Sequence, residues 1–383
     1  MASTNDWYLN IDKGKYTGLI FIDLKKAFDT VDHEILLEKL KMYGVTGLEH
    51  DWFTSYLDNR KQFCRINGSS SDVKGINCGV PQGSCLGPLL FLIYINDLPF
   101  SLQKSHVSMY ADDTTISLSS KSIAELQNDL NLDLLKLQDW LHANKLSLNV
   151  VKTQSLIIGS GPNIRKIESQ PDAQPSFSIG DQEIEMIANT KYLGVQVDSQ
   201  LNWDKHVDTI KTKANRALGL IKYSKKYLPS DVLNKMYRGI VEPQLSYCCS
   251  VWDCCSNSKI NVLQKIQNRA ARIVTNSPYD ASAAPLIQNL GWPTINNLIR
   301  KETATLTYKS LNSLAPVYMR KLFTKYSDDR ERSLRSTETD LRLPLLKTVN
   351  DQKAFSYRGA KLWNSLERES KLAPSLKTFK ERL

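Results

Sequence analysis

The sequence predicts an α+β fold: one sheet with helices behind it, followed by a helical region. Two observations predict it. Over residues 1–200, short runs of strand type alternate with helical periodicities, and from Trp203 onward apolar residues recur at three- and four-residue spacing. The first strand is the run Thr17-Gly-Leu-Ile-Phe-Ile22, which ends at Asp23. Helices are expected over 33–43, opened by His33 after Val31-Asp32, and over 47–57; strands are expected over 62–66 and 72–77. The apolar stretch 89–95 reads as a buried helix, and Met109-Tyr-Ala-Asp-Asp-Thr114 reads as a tight turn between two strands.

Ser122-Ile-Ala-Glu125 is a capping box, and the helix it opens carries Ile123, Leu126, Leu130, Leu134, Leu137 and Leu141 on one face. Strands return over 154–158 and 192–197, separated by the polar stretch 159–174, which reads as an exposed loop. Beyond it Val207, Ile210, Ala214, Ala217 and Ile221 form one helical stripe, and Leu233, Met236, Tyr237 and Ile240 a second one before Pro243. A third helix over 260–274 turns Leu263, Ile266, Ala270 and Ile273 inward and puts Lys265, Arg269 and Arg272 on one face, as a wet surface or a phosphate contact. Arg300, Arg320, Arg330, Arg332 and Arg335 make a basic region around a flexible segment at 327–339, and Trp363 and Phe379 are core candidates.

At 383 residues and 41% apolar, the chain can bury a large core and divides into two or three parts. The formal charge of +10 is uneven: residues 1–157 hold 15 basic and 18 acidic side chains, and the remainder 35 and 22. An acidic first part and a basic second part suit a cation site followed by a surface for phosphates. No apolar run approaches the roughly 18 residues of a membrane span. The start, Met1-Ala-Ser-Thr-Asn-Asp6, has no signal-peptide pattern, so an intracellular protein, neither secreted nor membrane-bound, is expected. The 7 cysteines, an odd number, argue for a reducing compartment, and Cys248-Cys-Ser-Val-Trp-Asp-Cys-Cys255 lacks the separated pairs of a zinc site.

Three aspartates carry the chemistry. Asp23 ends a strand and Asp112-Asp113 occupy a hairpin turn, so their carboxylates would repel unless they shared cations. Oxygen donors of this kind suit Mg²⁺, and two such ions can clamp the attacking and leaving oxygens of a phosphoryl transfer. Between them lies Gly79-Val-Pro-Gln-Gly-Ser-Cys-Leu-Gly-Pro88, whose glycines and prolines permit tight turns and close approach to a ligand. Gln82 can offer its amide there, and the Gly83 N–H can face a sugar or phosphate. The histidines His33, His50, His106, His142 and His206 form no spaced ligand set, and His33 is given a structural role.

The ordered set Phe21-Ile-Asp-Leu-Lys-Lys-Ala-Phe-Asp29, Gly79-Val-Pro-Gln-Gly-Ser84 and Tyr110-Ala-Asp-Asp113 resembles the palm of reverse transcriptases, those of non-LTR retrotransposons of the jockey and CR1-like LINE kind. Trp140 with Asn144, Leu146, Asn149 and Lys152 is similar to the family's next motif, and Lys191-Tyr-Leu-Gly-Val195 to its primer grip. Leu201-Asn-Trp203 with His206, and Val251-Trp252, resemble its thumb; Phe355, Arg358 and Trp363-Asn364 resemble its C-terminal signature.

The resemblance implies a right-hand palm with partial fingers over 1–200, a helical thumb over 201–290 and a helical, basic region over 291–383. It implies an RNA-directed DNA polymerase that transfers nucleotides to a primer 3′-hydroxyl with two Mg²⁺ ions, or Mn²⁺ in their place. The partners would be an RNA template, a DNA primer and dNTPs, with no stable protein partner. Asp23, Asp112 and Asp113 would be catalytic and would hold the metals, with the Leu24 carbonyl as a further ligand. Phe28 would sit under the incoming sugar, Gln82 and Gly83 would line the nucleotide and template pocket, and Lys152 would approach the leaving pyrophosphate. The family's upstream fingers and endonuclease have no counterpart before Asp23, so an N-terminally truncated enzyme with weak or absent polymerisation is expected. The alternatives are an inactive remnant or co-opted nucleic-acid-binding protein, and, third, a metal-dependent nuclease.

Overall fold

The computed structural model describes residues 1–169, 174–326, 339–345 and 351–383. It divides into two compact units, Lys15–Ala188 and a second formed by Met1–Gly14 with Asn189–Leu383, so helix α1 (Ala2–Asp12) belongs with the C-terminal part. The sheet unit thus closes at Ala188, short of the boundary expected at 200, and both expected helical regions fall within one unit.

The sheet unit is built on β1 (Tyr16–Ile22). With its helices α2 (His33–Met42), α3 (Leu48–Leu57) and α4 (Gly87–Ile95) come two short paired strands, β2 (Arg60–Gln62) and β3 (Lys74–Ile76). The main sheet adds β4 (His106–Tyr110), β5 (Asp113–Ser120), β6 (Gln154–Ile158) and β7 (Glu185–Met186), in the order β7-β6-β1-β5-β4. All neighbours are antiparallel except β7 with β6. As the middle strand β1 is flanked on both sides, which is why it is apolar nearly throughout.

Helix α5 (Ile123–Ala143) packs across the sheet, its Ser122 cap accepting from the Glu125 N–H and Leu126, Leu130, Leu134, Leu137 and Leu141 buried as the spacing predicts. It comes so close to β1 that a Cβ on Gly18 would lie 2.6 Å from Leu130 Cδ1. Only glycine permits that approach. On the same helix Asp133, 1% exposed, accepts from the N–H groups of Gln103, Lys104 and Ser105 at 3.0, 3.1 and 2.7 Å, fastening the loop that leads into β4. Burial opposes its charge, but the hydrogen bonds prevail and hold its carboxyl below the usual range.

Two local expectations are corrected. The stretch read as an exposed loop contains helix α6 (Gly161–Glu168), because Ser160 caps it, Pro162 sits in its first turn and Ile164 is buried; residues 170–173 lie outside the described residues. Between β2 and β3 the chain inserts a small hairpin, Arg65–Ile66 with Ser69–Ser70, closed by Asn67-Gly68 with both residues at positive φ. Asn-Gly is the sequence signal of such a turn.

In the second unit, the strand expected over 192–197 is a hairpin, β8 (Asn189–Tyr192) and β9 (Val195–Asp198), turned by Leu193 and Gly194 at positive φ. Helix α7 (Asp204–Ser224) buries Leu218 where Ala217 was expected. The segment before Pro243 buries the expected Leu233 and Tyr237 together with Val241, and Leu245 follows beyond the proline, in place of the expected Met236 and Ile240. A spacing of four drifts around an ordinary helix, and the π-helical turn Tyr237–Val241 keeps these residues in line. Helix α8 (Asn257–Val274) exposes Lys265 and Arg269, whereas Arg272 is half-buried and donates to the Ala281 carbonyl at 2.7 Å, so the expected basic row loses one member.

A second core joins α9 (Ile295–Leu311) to α10 (Phe355–Asn364) around Tyr308, Phe355, Trp363 and Phe379. The segment expected as flexible lies outside the described residues apart from Thr339, as do Arg330, Arg332 and Arg335. Among the described residues no helix is long and apolar enough to cross a membrane.

Candidate active site

Strand register brings the aspartates together. The β1–β5 register runs to Ile22 with Thr114, so the next residues at that end of the sheet are Asp23 and Asp113, 90 positions apart in the chain. Tyr110 pairs with Asp113 across a two-residue turn, leaving Ala111, at positive φ, and Asp112 at the tip of the β4–β5 hairpin. Neighbouring strands run about 4.8 Å apart, so two of the carboxylates share a sheet end and the third is next to them. Asp112 and Asp113 are exposed and Asp23 is half-buried.

The backbone around Asp23 is fixed from the other side. Its N–H donates to Thr153 Oγ1 at 3.3 Å, its carbonyl accepts from Asn149 N at 2.8 Å, and Lys25 N donates to the Ser147 carbonyl at 2.8 Å. Because residues 23 and 25 turn their polar groups toward the 147–153 segment, the intervening Leu24 turns its carbonyl to the opposite side, where β5 lies. The motif of Trp140, Asn144 and Asn149 therefore acts through backbone: Asn144 Nδ2 binds the Trp140 carbonyl, Tyr94 Oη donates to the Asn144 carbonyl at 2.6 Å, and Asn149 holds Asp23. Lys152 is exposed beside Thr153, in the turn that carries this anchor.

The glycine-rich loop is zipped onto the chain that follows Asp23. Gly79 N donates to the Val31 carbonyl at 2.7 Å and Val80 N to the Phe28 carbonyl at 2.8 Å, and Gln82 Nε2 donates to Asp29 Oδ1 at 2.9 Å. Gly79 has φ of 90°, and a Cβ there would lie 2.8 Å from the Asp29 carbonyl oxygen. Gly83, at φ of 82°, faces open space. Phe28 is half-buried and stacks on Phe91 of α4 with ring centroids 4.6 Å apart. A cleft of about 710 Å³ opens here, lined by Lys26, Arg60, Asn77, Gly79 and Gln82 among others.

Three positioning groups escaped the sequence reading. His33 is a clamp as well as a helix start: its Nε2 lies 2.8 Å from the Gly79 carbonyl, while Asp32 caps α2 through Ile35 N. Asp32 also pairs with Lys145 at 2.6 Å; burial resists its ionisation, but this hydrogen bond and the cap hold its carboxyl below the usual range. Lys39, buried under the Tyr94 and Trp140 rings, donates to the Tyr94 carbonyl and to Asp97. Burial pushes its pKa down. Apart from the Ile35 cap bond of Asp32, the partners are distant in sequence, so no local pattern marks these contacts.

Hard oxygen donors, Asp23, Asp112, Asp113 and the Leu24 carbonyl, fit a divalent cation such as Mg²⁺ by type. Among the described residues no three His, Cys, Asp or Glu side chains form a metal-holding group.

In the second unit Lys191, Leu193 and Gly194 are exposed, whereas the motifs from Leu201 onward are built into the structure. Trp203 Nε1 donates to Tyr8 Oη at 2.9 Å, His206 lies between the Trp203 and Trp252 rings, and burial pushes the His206 pKa down to about 4. Arg358 pairs with Asp253 and donates to the carbonyls of Lys353 and Ser250, and Asn364 exchanges two hydrogen bonds of 2.8 Å with the Leu341 backbone. Of the four clustered thiols, Cys249 is buried, which raises its pKa to about 12, and Cys254 Sγ lies 3.1 Å from Tyr8 Oη.

Comparison with known proteins gives this arrangement a family. The profile of the reverse transcriptase (RNA-dependent DNA polymerase) family matches residues 1–197. The chain is 28% identical over 304 residues to the probable RNA-directed DNA polymerase from transposon X-element of Drosophila melanogaster, covering 76% of this chain and 32% of the relative. It is 28% identical over 309 residues to that from transposon BS of the same fly, covering 76% and 33%, and 29% identical over 317 residues to the RNA-directed DNA polymerase from mobile element jockey of Drosophila funebris, covering 79% and 33%. The chain spans about a third of the length of these curated relatives. With a profile match over more than half of its residues, and with relatives among jockey-like, R1 and R2 elements, this chain belongs to the reverse transcriptase family, within the branch found in non-LTR retrotransposons.

Proposed function

We propose that this chain extends a DNA primer along an RNA template, using dNTPs and two divalent cations, Mg²⁺ or Mn²⁺. One observation supports the reading: the β1–β5 register ends at Ile22 with Thr114, which leaves Asp23 and Asp113 as the next residues at one end of the sheet, in a unit whose glycine-rich loop is hydrogen-bonded to the segment from Phe28 to Val31. Asp23 and Asp112, with Asp113 beside them and the Leu24 carbonyl, would hold the cations. Bound there, the cations would lower the pKa of the primer hydroxyl and neutralise the charge of the departing pyrophosphate. The new bond joins the primer 3′-oxygen to the α-phosphorus, and the α–β phosphoanhydride breaks.

The protein's own contribution is positioning, the main demand of phosphoryl transfer. Thr153 and Asn149 fix the backbone of Asp23, so its carboxylate meets the substrate with little freedom to lose. Phe28, backed by Phe91, forms a rigid floor for the incoming sugar and excludes a 2′-hydroxyl by contact. Gln82, held by Asp29, and the open Gly83 N–H face the template and nucleotide, and Lys152 lies on the anchor turn as a cation for the leaving phosphates.

A second reading is nucleic-acid binding without catalysis, with which the lack of a three-residue metal-holding group among the described residues agrees. Primer extension on poly(rA) with oligo(dT) and Mg²⁺ or Mn²⁺ separates the two. Extension lost in Asp112→Asn supports the polymerase; salt-sensitive RNA binding without extension supports the second reading.

A further inference from the structure

Helix α3 carries on its surface a row that the sheet-end site does not use. Trp52 and Tyr56 follow each other at i, i+4, and their rings stack with centroids 5.4 Å apart and planes 9° from parallel. The guanidinium of Arg60, four residues further, lies 5.4 Å from the centre of the Tyr56 ring. Three planar groups thus form one column, with Trp52, 53% exposed, at its outer end. Arg60 at the inner end also lines the cleft that leads to Gln82.

The surroundings are positively charged. Residues 60–76 hold four basic side chains, Arg60, Lys61, Arg65 and Lys74, against Asp72 alone, and they expose Phe63, Ile66 and Val73 between them. Across the cleft stands Lys26, and neither Lys26 nor Arg60 is paired with a carboxylate among the described residues. The acid in the cleft wall, Asp29, is already engaged by Gln82. Of the acids on α3, Asp51 lies about a third of a turn away from Trp52 and Glu49 flanks it, while Asp58 follows the helix in extended backbone.

We propose that the Trp52–Tyr56–Arg60 column is a binding platform for unpaired nucleotides, which conducts a single strand into the Gln82 cleft. Every base has a π face, so an unpaired base can extend the column on the open side of Trp52. Arg60 and Lys26 then meet the phosphates that follow. A duplex can offer the column only its terminal pairs, because its other bases are already stacked on one another. The platform rests on the proposed nucleic-acid role of the sheet unit, and it gives the strand ahead of the site a defined path.

The test uses the full chain and fluorescence anisotropy of a labelled oligouridylate and a blunt duplex. Trp52→Ala should weaken oligouridylate binding roughly five-fold or more and leave duplex binding unchanged, while Trp52→Phe, which keeps a ring, should restore most of the loss. Arg60→Gln should reduce the slope of log affinity against log salt by about 0.7, the share of one phosphate contact on a single strand. Trp52 is exposed and Arg60 half-buried, and circular dichroism checks that the variants fold. The proposal is overturned if the unaltered chain does not bind the oligonucleotide, or if Trp52→Ala binds it as well as before. It is equally overturned if Trp52→Ala changes only self-association in sedimentation, which would assign the face to a polypeptide contact. Loss of primer extension with binding intact would count against the polymerase reading alone.

Discussion

The two units handle their signature residues in opposite ways. In the sheet unit Asp23, Asp112, Asp113, Gln82 and Gly83 are exposed or half-buried, and at Asp23 it is the backbone that the fold ties down. In the second unit Trp203, His206 and Trp363 are buried and Arg358 is half-buried, and their side chains carry the bonds. One unit keeps side chains available by fixing the main chain beneath them; the other consumes them as structure. A shared family motif can therefore mean chemistry in one unit and architecture in the next, and burial separates the two meanings.

The largest effect that would break this contrast is expected at Arg358. Replacing it by Ala leaves Asp253, whose side chain is 11% exposed, without its cation, and since losing one partner of a fully buried pair costs about 3–5 kcal/mol, this half-buried pair should cost up to that much. Urea unfolding should show that loss, and Arg358→Ala combined with Asp253→Ala should lose less than the two single changes added together. At the sheet end the outcome should be reversed. Asp112→Asn removes an exposed charge and should move stability by no more than about 0.5 kcal/mol. Primer extension should nevertheless fall by about a hundred-fold or more, the usual loss when an electrostatic group of a transfer site is removed. If Asp112→Asn destabilised the unit while sparing extension, the division between the two regions would fail.

The same contrast explains what could be read from the residues alone. Ser122, the leucine row behind it and the strand 154–158 were legible because capping and periodicity act locally. The pairing of Asp23 with the hairpin was legible only through family resemblance, since no local pattern specifies that residue 22 meets residue 114. Lys39, Asp133 and the His33 clamp were not legible, because their partners are backbone groups brought in from distant segments. The π-helical turn before Pro243 was missed for another reason: a spacing of four imitates an ordinary helix until several turns accumulate. The Asn67-Gly68 turn and the Ser160 cap did carry signals that a closer reading would have caught.

Gly79 lies on the border between the two behaviours, and it sharpens the comparison. A methyl group at Gly79 would strain a φ of 90° and press on the Asp29 backbone at 2.8 Å, which should cost about 1–3 kcal/mol. Because the same contacts hold Gln82 at the cleft, Gly79→Ala should also raise the KM for dNTP. A stability loss with KM unchanged would show that the loop is architecture only.

The smallest effect concerns acid. Asp133 in the sheet unit has a carboxyl held below its usual range, so its contribution is fully present above the unfolded value of about 4 and is lost as pH falls through the folded one. His206 in the second unit has a pKa pushed down to about 4 by burial, so it too must take up a proton on unfolding, from about pH 6.5 downward. Both units should therefore lose stability on acidification, the second beginning at the higher pH. Asp133→Asn should flatten the decline of the sheet unit below about pH 4 and leave the decline from pH 6.5 untouched. Hydrogen exchange followed separately on α5 and α7 as pH is lowered would show the order; sheet-unit amides opening first near pH 6 would overturn it.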